Sequence, residues 1–273
     1  MTQAVALEAQ QYPHTWQRFS PLRRLLRFAL LFVLVLAVEQ SLRKVEIIPE
    51  FVADAPTQII DMTSRMWPIA WGSFYGDISK SLIETIHMAT LGTLIGILLA
   101  FPISFLVAKN LTPIPLLNWL GRFILVSSRS VNSLVWALLF IAIFGPGAMA
   151  GMLAIAFRSI GFIGKMLGEA LENTDIKPIE ALQATGAQKL ALIIYGYWPQ
   201  IKPAFFSIAL LRWDINILES AVLGLVGAGG LGMSLNAAID TFQWNQVALI
   251  LCIIFSIVIA VEMLLTTVRN RVL

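Results

Sequence analysis

The sequence predicts an all-α membrane protein with about six transmembrane helices, and three observations carry that expectation. Hydrophobic residues make up 58% of the 273 positions and charged residues only 13%, with mean hydropathy +0.80. A soluble domain of this length has too little interior to hide so much apolar surface, so lipid must be part of its solvent. The apolar residues fall in runs near the length a bilayer requires, about 20 residues each. Short segments rich in Pro, Gly and charge separate those runs.

The first run, 25–42, follows Arg18, Arg23, Arg24 and Arg27 and lacks the small-residue cleavage site of a secretory signal. Residues 1–24 are therefore expected to form a cytoplasmic tail, and 25–42 an uncleaved signal-anchor. Residues 43–77 mix Pro49, Pro56 and Pro68 with Trp67, Trp71, Phe74 and Tyr75, and include an amphipathic stretch from Pro56 to Trp67. Tryptophans at a span end favour the headgroup region. This segment is expected either along the outer, periplasmic interface or packed into the protein. The second span, 78–108, carries Gly92 and Gly96 four apart, a spacing that permits close helix approach. Pro113 and Pro115 mark a turn, and the third span, 117–144, stops at Gly145-Pro146-Gly147. The fourth span is 151–171, the fifth 203–226 and the sixth 247–268, with a polar segment at 174–202 and a glycine-rich loop and polar stretch at 227–246. Residues 78–268 form the expected core, and 269–273 a short C-terminal tail.

Six spans put both ends on one side of the membrane. That side carries the N-terminal arginines, Lys109, Arg122, Lys177, Lys189, Lys202, Arg269 and Arg271, against Arg43, Lys44, Arg65 and Lys80 opposite. The excess is expected to place both termini and the 174–202 segment in the cytoplasm. Net charge is only +3 and the basic residues are scattered, which argues against nucleic acid as a partner. A single cysteine, Cys252, excludes an internal disulfide and any cysteine-based metal cluster.

Two motifs resemble nucleotide sites and fail on context. Gly227 to Gly232 matches G-x-G-x-x-G, but a membrane span precedes it and no acid follows at the required distance. Gly164-Lys165 ends like a P-loop, yet Ser159 occupies the first glycine's place and Met166 replaces Ser or Thr. No cofactor is expected in this chain, and any ATP and Mg²⁺ must be bound by a partner. There is no paired-histidine or Ser–His arrangement to support an enzyme.

Arg129, Arg158, Arg212 and Asp214 fall inside spans three to five, and each costs about 2.5–3.5 kcal/mol at a helix centre. Such costs demand compensating partners or a polar path. One reading is structural, with Asp214 or Glu219 neutralising an arginine. The other is a hydrophilic path or gate for an anion, since a guanidinium donates two parallel hydrogen bonds to an oxyanion. Ser130 and Asn132, beside Arg129, belong to the most polar point of span three.

In the polar segment, Asp175 or Thr174 can cap a helix whose first turn accommodates Pro178. Glu180 is expected near its positive end. Ala181, Ala184 and Ala187 leave room for another surface, and Gly186 suits a left-handed cap. A second helical run, Ala187 to Tyr195, is expected to end where Pro199 and Pro203 break it. The product is a lever of two short helices able to enter a partner's groove.

Glu180-Ala181, Gly186 six residues after the Glu, and Pro199 thirteen after that Gly resemble the EAA loop of permease subunits in ATP-binding-cassette importers. Leu182 departs from the usual third Ala, and Gly196 and Trp198 from the usual Ile and Leu. Phe157 to Gly161, Arg212 to Asn216 and Ser220 to Gly230 resemble the phosphonate/phosphite permease branch of that family, over about 82–268. The resemblance implies a type I importer permease that works as a homodimer. It implies two cytoplasmic ATPase subunits gripping Glu180, Ala181, Gly186, Ala187 and Pro199, and a periplasmic solute-binding protein. The expected cargo is phosphonate, phosphite or hypophosphite. An importer of the same architecture for another small solute remains open. So does a proton-coupled secondary transporter using Glu84, His87 and Asp214.

Overall fold

The computed structural model describes residues 21–45 and 48–272. The tail expected over 1–24 lies, as far as residue 20, outside the described residues, as do residue 273 and the side chains beyond 268. The chain divides into two units at Asp61/Met62. In the first, helix α1 (Pro21–Lys44) is exposed along its described length, with an Arg43–Glu39 ion pair near its end. Helix α2 (Pro49–Arg65) follows and carries Pro56 within it.

The second unit is a helical bundle. It comprises α3 (Asp77–Val107), α4 (Pro115–Ser130), α5 (Ser133–Phe144), α6 (Ala148–Glu172), α7 (Ile176–Ala184), α8 (Trp198–Leu223), α9 (Gly230–Asp240) and α10 (Trp244–Val272). Among the described residues, five helices are long and apolar enough to span a membrane, or six if the bent pair α4–α5 counts as one.

Helix α6 is the centre of the bundle and packs on α3, α4, α5 and α8. Its composition explains this: Ala150, Gly151, Ala154, Ser159, Gly161, Gly164 and Gly168 are all buried, and small residues let backbones approach where no hydrophobic force drives helices together. Gly92 and Gly96 on α3 face it. A Cβ at Gly92 would sit 2.7 Å from Ile155 Cγ2, and one at Gly96 would sit 2.6 Å from Ser159 Cβ.

Two sequence expectations change. The third span is not one helix: α4 and α5 meet at about 90° around Val131–Asn132. Asn132 caps α5 by accepting from the Leu134 N–H at 3.2 Å, and such residues offer the backbone an alternative to helix. Ser128 ties the bend to α6, donating to the Phe157 carbonyl and accepting from the Gly161 N–H at 3.1 Å. Nor do Pro199 and Pro203 break the run after Gly186. Helix resumes at Lys189, widens into a π-turn over Leu192–Tyr197, and continues into α8. The wider turn gives Pro199 a place at the start of α8, where its missing N–H breaks no α-helical bond, and Pro203 lies within α8.

Candidate functional site: the loop between α6 and α8 and the charge cluster of the bundle

The loop between α6 and α8 is built from its ends. Asp175 caps α7, accepting from the Lys177 N–H at 3.1 Å, while Thr174 Oγ1 donates to the Leu171 carbonyl at 2.9 Å. Thr185 ends the helix, and Gly186 follows at φ +78° with open space where a Cβ would be. Only glycine adopts that conformation without strain. Ile179, 2% exposed, pins α7 to the base of α8 beside Tyr197, and the spot where a Gly196 Cβ would sit lies 3.3 Å from Ile179 Cγ1.

Gln200, which sequence reasoning missed, fastens both ends. Its Oε1 accepts from the Asp175 N–H at 2.8 Å, and its Nε2 donates to the carbonyls of Asp175 at 3.2 Å and Gly196 at 2.9 Å. Its only sequence signal was a polar residue directly after Pro199. Glu180, Ala181, Gly186 and Pro199 are exposed and Ala187 is half-buried. Because α7 starts at Ile176, Glu180 lies in the second turn. The dipole at the helix start, which falls off within one turn, therefore does not govern its charge.

The charges inside the bundle are arranged differently. Glu219 stands between two arginines: Arg158 Nη1 lies 3.2 Å from its Oε1 and Arg212 Nη2 3.4 Å from its Oε2. Arg212, 2% exposed, donates its Nε–H to Ser159 Oγ at 3.0 Å and rests on the Phe162 ring. Asn216, fully buried, donates to Ser159 Oγ at 3.0 Å and to Thr93 Oγ1 at 2.7 Å. Ser159 Oγ donates in turn to the Ile155 carbonyl at 2.6 Å. Arg158, 30% exposed at its side chain, also reaches Ser133 Oγ at 3.1 Å. One network thus joins α3, α5, α6 and α8. Among the described residues, no buried side-chain nitrogen or oxygen lacks a partner.

The six residues expected to line an anion path therefore separate. Arg212 is enclosed and does not face an open path. Arg158 and Arg212 share Glu219, which leaves one net positive charge. Asp214, half-buried, has a partner of its own. Asn132 is occupied as the α5 cap, and Ser130 is exposed and donates to the Ser127 carbonyl at 3.1 Å. Arg129 is exposed and makes no ion pair or hydrogen bond among the described residues. Glu84 is half-buried and His87 exposed, and no hydrogen bond or ion pair joins them.

A bundle of candidate membrane spans with a satisfied charge network inside it and an exposed short helix at one end fits a transport permease. The chain belongs to the family described as binding-protein-dependent transport system inner membrane component, whose model matches residues 92–273. It is a permease subunit of an ATP-binding-cassette importer. It is 36% identical over 190 residues to the phosphite transport system permease protein PtxC of Stutzerimonas stutzeri, covering 70% of this chain and 69% of that one. It is 33% identical over 229 residues to the phosphate-import permease protein PhnE of Mycolicibacterium smegmatis, covering 84% of this chain and 43% of that protein. The inward-facing MetNI methionine transporter shares the fold at TM-score 0.61 and 20% identity, over 72% of this chain and 96% of that one.

Proposed function

We propose that this chain is the membrane subunit of an ATP-driven importer that carries a phosphorus oxyanion from a periplasmic binding protein to the cytoplasm. Phosphonate, phosphite and hypophosphite are the candidate cargoes. Two copies form the permease in the inner membrane, with termini and α7 on the cytoplasmic side. Two ATPase subunits bind ATP and Mg²⁺ and receive α7 in a groove, where Glu180, Ala181, Gly186, Ala187 and Pro199 are the contacts. Closure of the ATPases draws the two loops together and opens the path outward, and hydrolysis resets it.

The observation that carries this reading is the loop itself. Its interior side is fastened by Ile179 and Gln200, while Glu180, Ala181, Gly186 and Pro199 stay exposed. The names of the relatives support the cargo class.

The test is uptake of phosphite into proteoliposomes holding the permease, its ATPase and its binding protein. Uptake is expected to require ATP and to be indifferent to an imposed proton gradient. Uptake driven by the gradient with the ATPase absent would move the protein to the secondary-transporter class. ATP-driven uptake of an amino acid but no phosphorus oxyanion would retain the architecture and replace the cargo.

A further inference from the structure

A cleft of ≈ 270 Å³ opens between α4 and α6 at the end of the bundle that carries α7. Its charged lining comprises Lys109, Arg122, Arg129, Lys165, Glu169 and Glu172. Two of the four cations are engaged: Arg122 Nη2 lies 3.4 Å from Glu172 Oε1, and Lys165 Nζ lies 3.4 Å from Glu169 Oε1. Glu172 Oε1 also accepts the Lys109 backbone N–H at 3.0 Å. The Lys109 ammonium and the Arg129 guanidinium have no ion pair or hydrogen bond among the described residues. The cleft therefore holds two positive charges that no described residue answers.

This charge is positioned rather than scattered. Arg122 and Arg129 are seven residues apart on α4, and Lys165, Glu169 and Glu172 follow at helical spacing on α6, so each helix turns one charged face inward. The root of Arg129 is fixed. A Cβ at Gly161 would lie 3.0 Å from both the Arg129 backbone nitrogen and its Cβ, so the two helices touch there without slack. The guanidinium is left free at the cleft wall. Val107, Leu125 and Val126 supply an apolar floor. The volume falls below the range of about 300–1,000 Å³ typical of drug-sized ligands and suits a small ion. A free, rigidly rooted arginine over an apolar floor matches a tetrahedral oxyanion, which its planar fork contacts with two hydrogen bonds.

We propose that this cleft is a binding site for a tetrahedral phosphorus oxyanion, with Arg129 as the principal contact and Lys109 as the second charge. Two sources share that chemistry. One is the free cargo ion on its way out at the α7 end, an assignment that rests on the importer reading above. The other is the phosphate of an anionic phospholipid headgroup, which does not depend on that reading.

The test uses the full-length protein in a neutral detergent, without ATP. Phosphite binding is followed by ³¹P line broadening, and phosphatidylglycerol retention by native mass spectrometry. Arg129→Gln and Arg129→Lys are compared with wild type, and Arg43→Gln on α1 serves as a control outside the cleft. Arg129→Gln is expected to weaken at least one of the two ligands by tenfold or more. Arg129→Lys restores part of the loss, and Arg43→Gln has no effect. Loss of phosphite alone identifies the free ion, and loss of phosphatidylglycerol alone identifies the headgroup. Equal binding of both ligands by wild type and Arg129→Gln overturns the site, as does binding of neither by wild type. Lys109→Gln, which removes the second charge of the site, provides a second variant should Arg129→Gln fail to fold, and the same loss is expected of it. If ATP-driven phosphite uptake persists while these binding experiments fail, the importer reading stands and the cleft site falls.

Discussion

Around Ser159 every buried polar atom finds a partner inside the bundle, whereas Glu180 finds none among the described residues. The first region lies within the packed helices and spends its polarity internally, with Arg158 and Arg212 meeting at Glu219, Arg212 and Asn216 meeting at Ser159, and Asn216 reaching on to Thr93. The second lies at the end of the bundle and keeps Glu180, Ala181 and Gly186 exposed. The difference separates architecture from interface. A polar group that must be satisfied to be buried holds helices together, and a small or charged residue left exposed on a fastened loop is available to a partner. Arginines in membrane helices are accordingly not all alike: Arg212 belongs to the first kind, and Arg129, exposed and without an ion pair or hydrogen bond among the described residues, to the second.

The largest effect is expected at the centre. Glu219→Ala leaves two arginines in the bundle without their carboxylate, and breaking a buried pair costs about 3–5 kcal/mol. The variant should lose its monodisperse size-exclusion peak or unfold at a much lower temperature in detergent. An unchanged Tm would mean that water, not Glu219, satisfies the two guanidinium groups, and the contrast between the regions would collapse.

The same substitution in each region sharpens the contrast. At Gly161 a Cβ would lie 2.5 Å from the Leu125 carbonyl oxygen, a backbone atom that cannot turn aside. Gly161→Ala should cost about 1–3 kcal/mol through overpacking. At Gly186 a Cβ meets nothing within 4 Å, and only the φ of +78° opposes it. Gly186→Ala should cost about 1–2 kcal/mol, confined to the loop. Thermal unfolding with limited proteolysis separates the outcomes: the first variant lowers the global Tm, and the second exposes the loop to protease while the Tm holds. A lowered global Tm for Gly186→Ala would show that the loop is part of the core.

What the sequence made legible follows the same division. Locally determined features could be read: the Asp175 cap, the left-handed Gly186 and the small-residue face of Gly92 and Gly96 each depend on one residue type at one spacing. Features set by distant contacts could not. The bend at Val131–Asn132 falls in the polar patch of span three with no Pro or Gly beside it to mark a break, and its causes are the Asn132 cap and Ser128, whose partners lie on α6. Gln200 joins positions 25 residues apart, which no local pattern announces. Asp214 and Glu219 were both open as counter-ions, and only packing shows Glu219 bridging two arginines. The prolines at 199 and 203 signalled a break because the widened turn that absorbs Pro199 leaves no composition mark.

The smallest effect on stability should accompany the largest on coupling. Glu180 is exposed, lies beyond the reach of the helix start and makes no bond among the described residues, so Glu180→Lys should change stability by no more than about 0.5 kcal/mol. Ile179 and Gln200 hold α7 in place whatever residue stands at 180. If the loop is the point at which ATP energy enters, reversing that charge removes the ATPase from affinity-purified permease and abolishes uptake, with membrane insertion and Tm unchanged. Glu180→Gln, which keeps the shape and removes the charge, should retain part of both activities. Full ATPase recovery and full uptake by Glu180→Lys would show that the exposed residues of α7 are only solvated, and energy would then have to enter through another surface at the same end of the bundle.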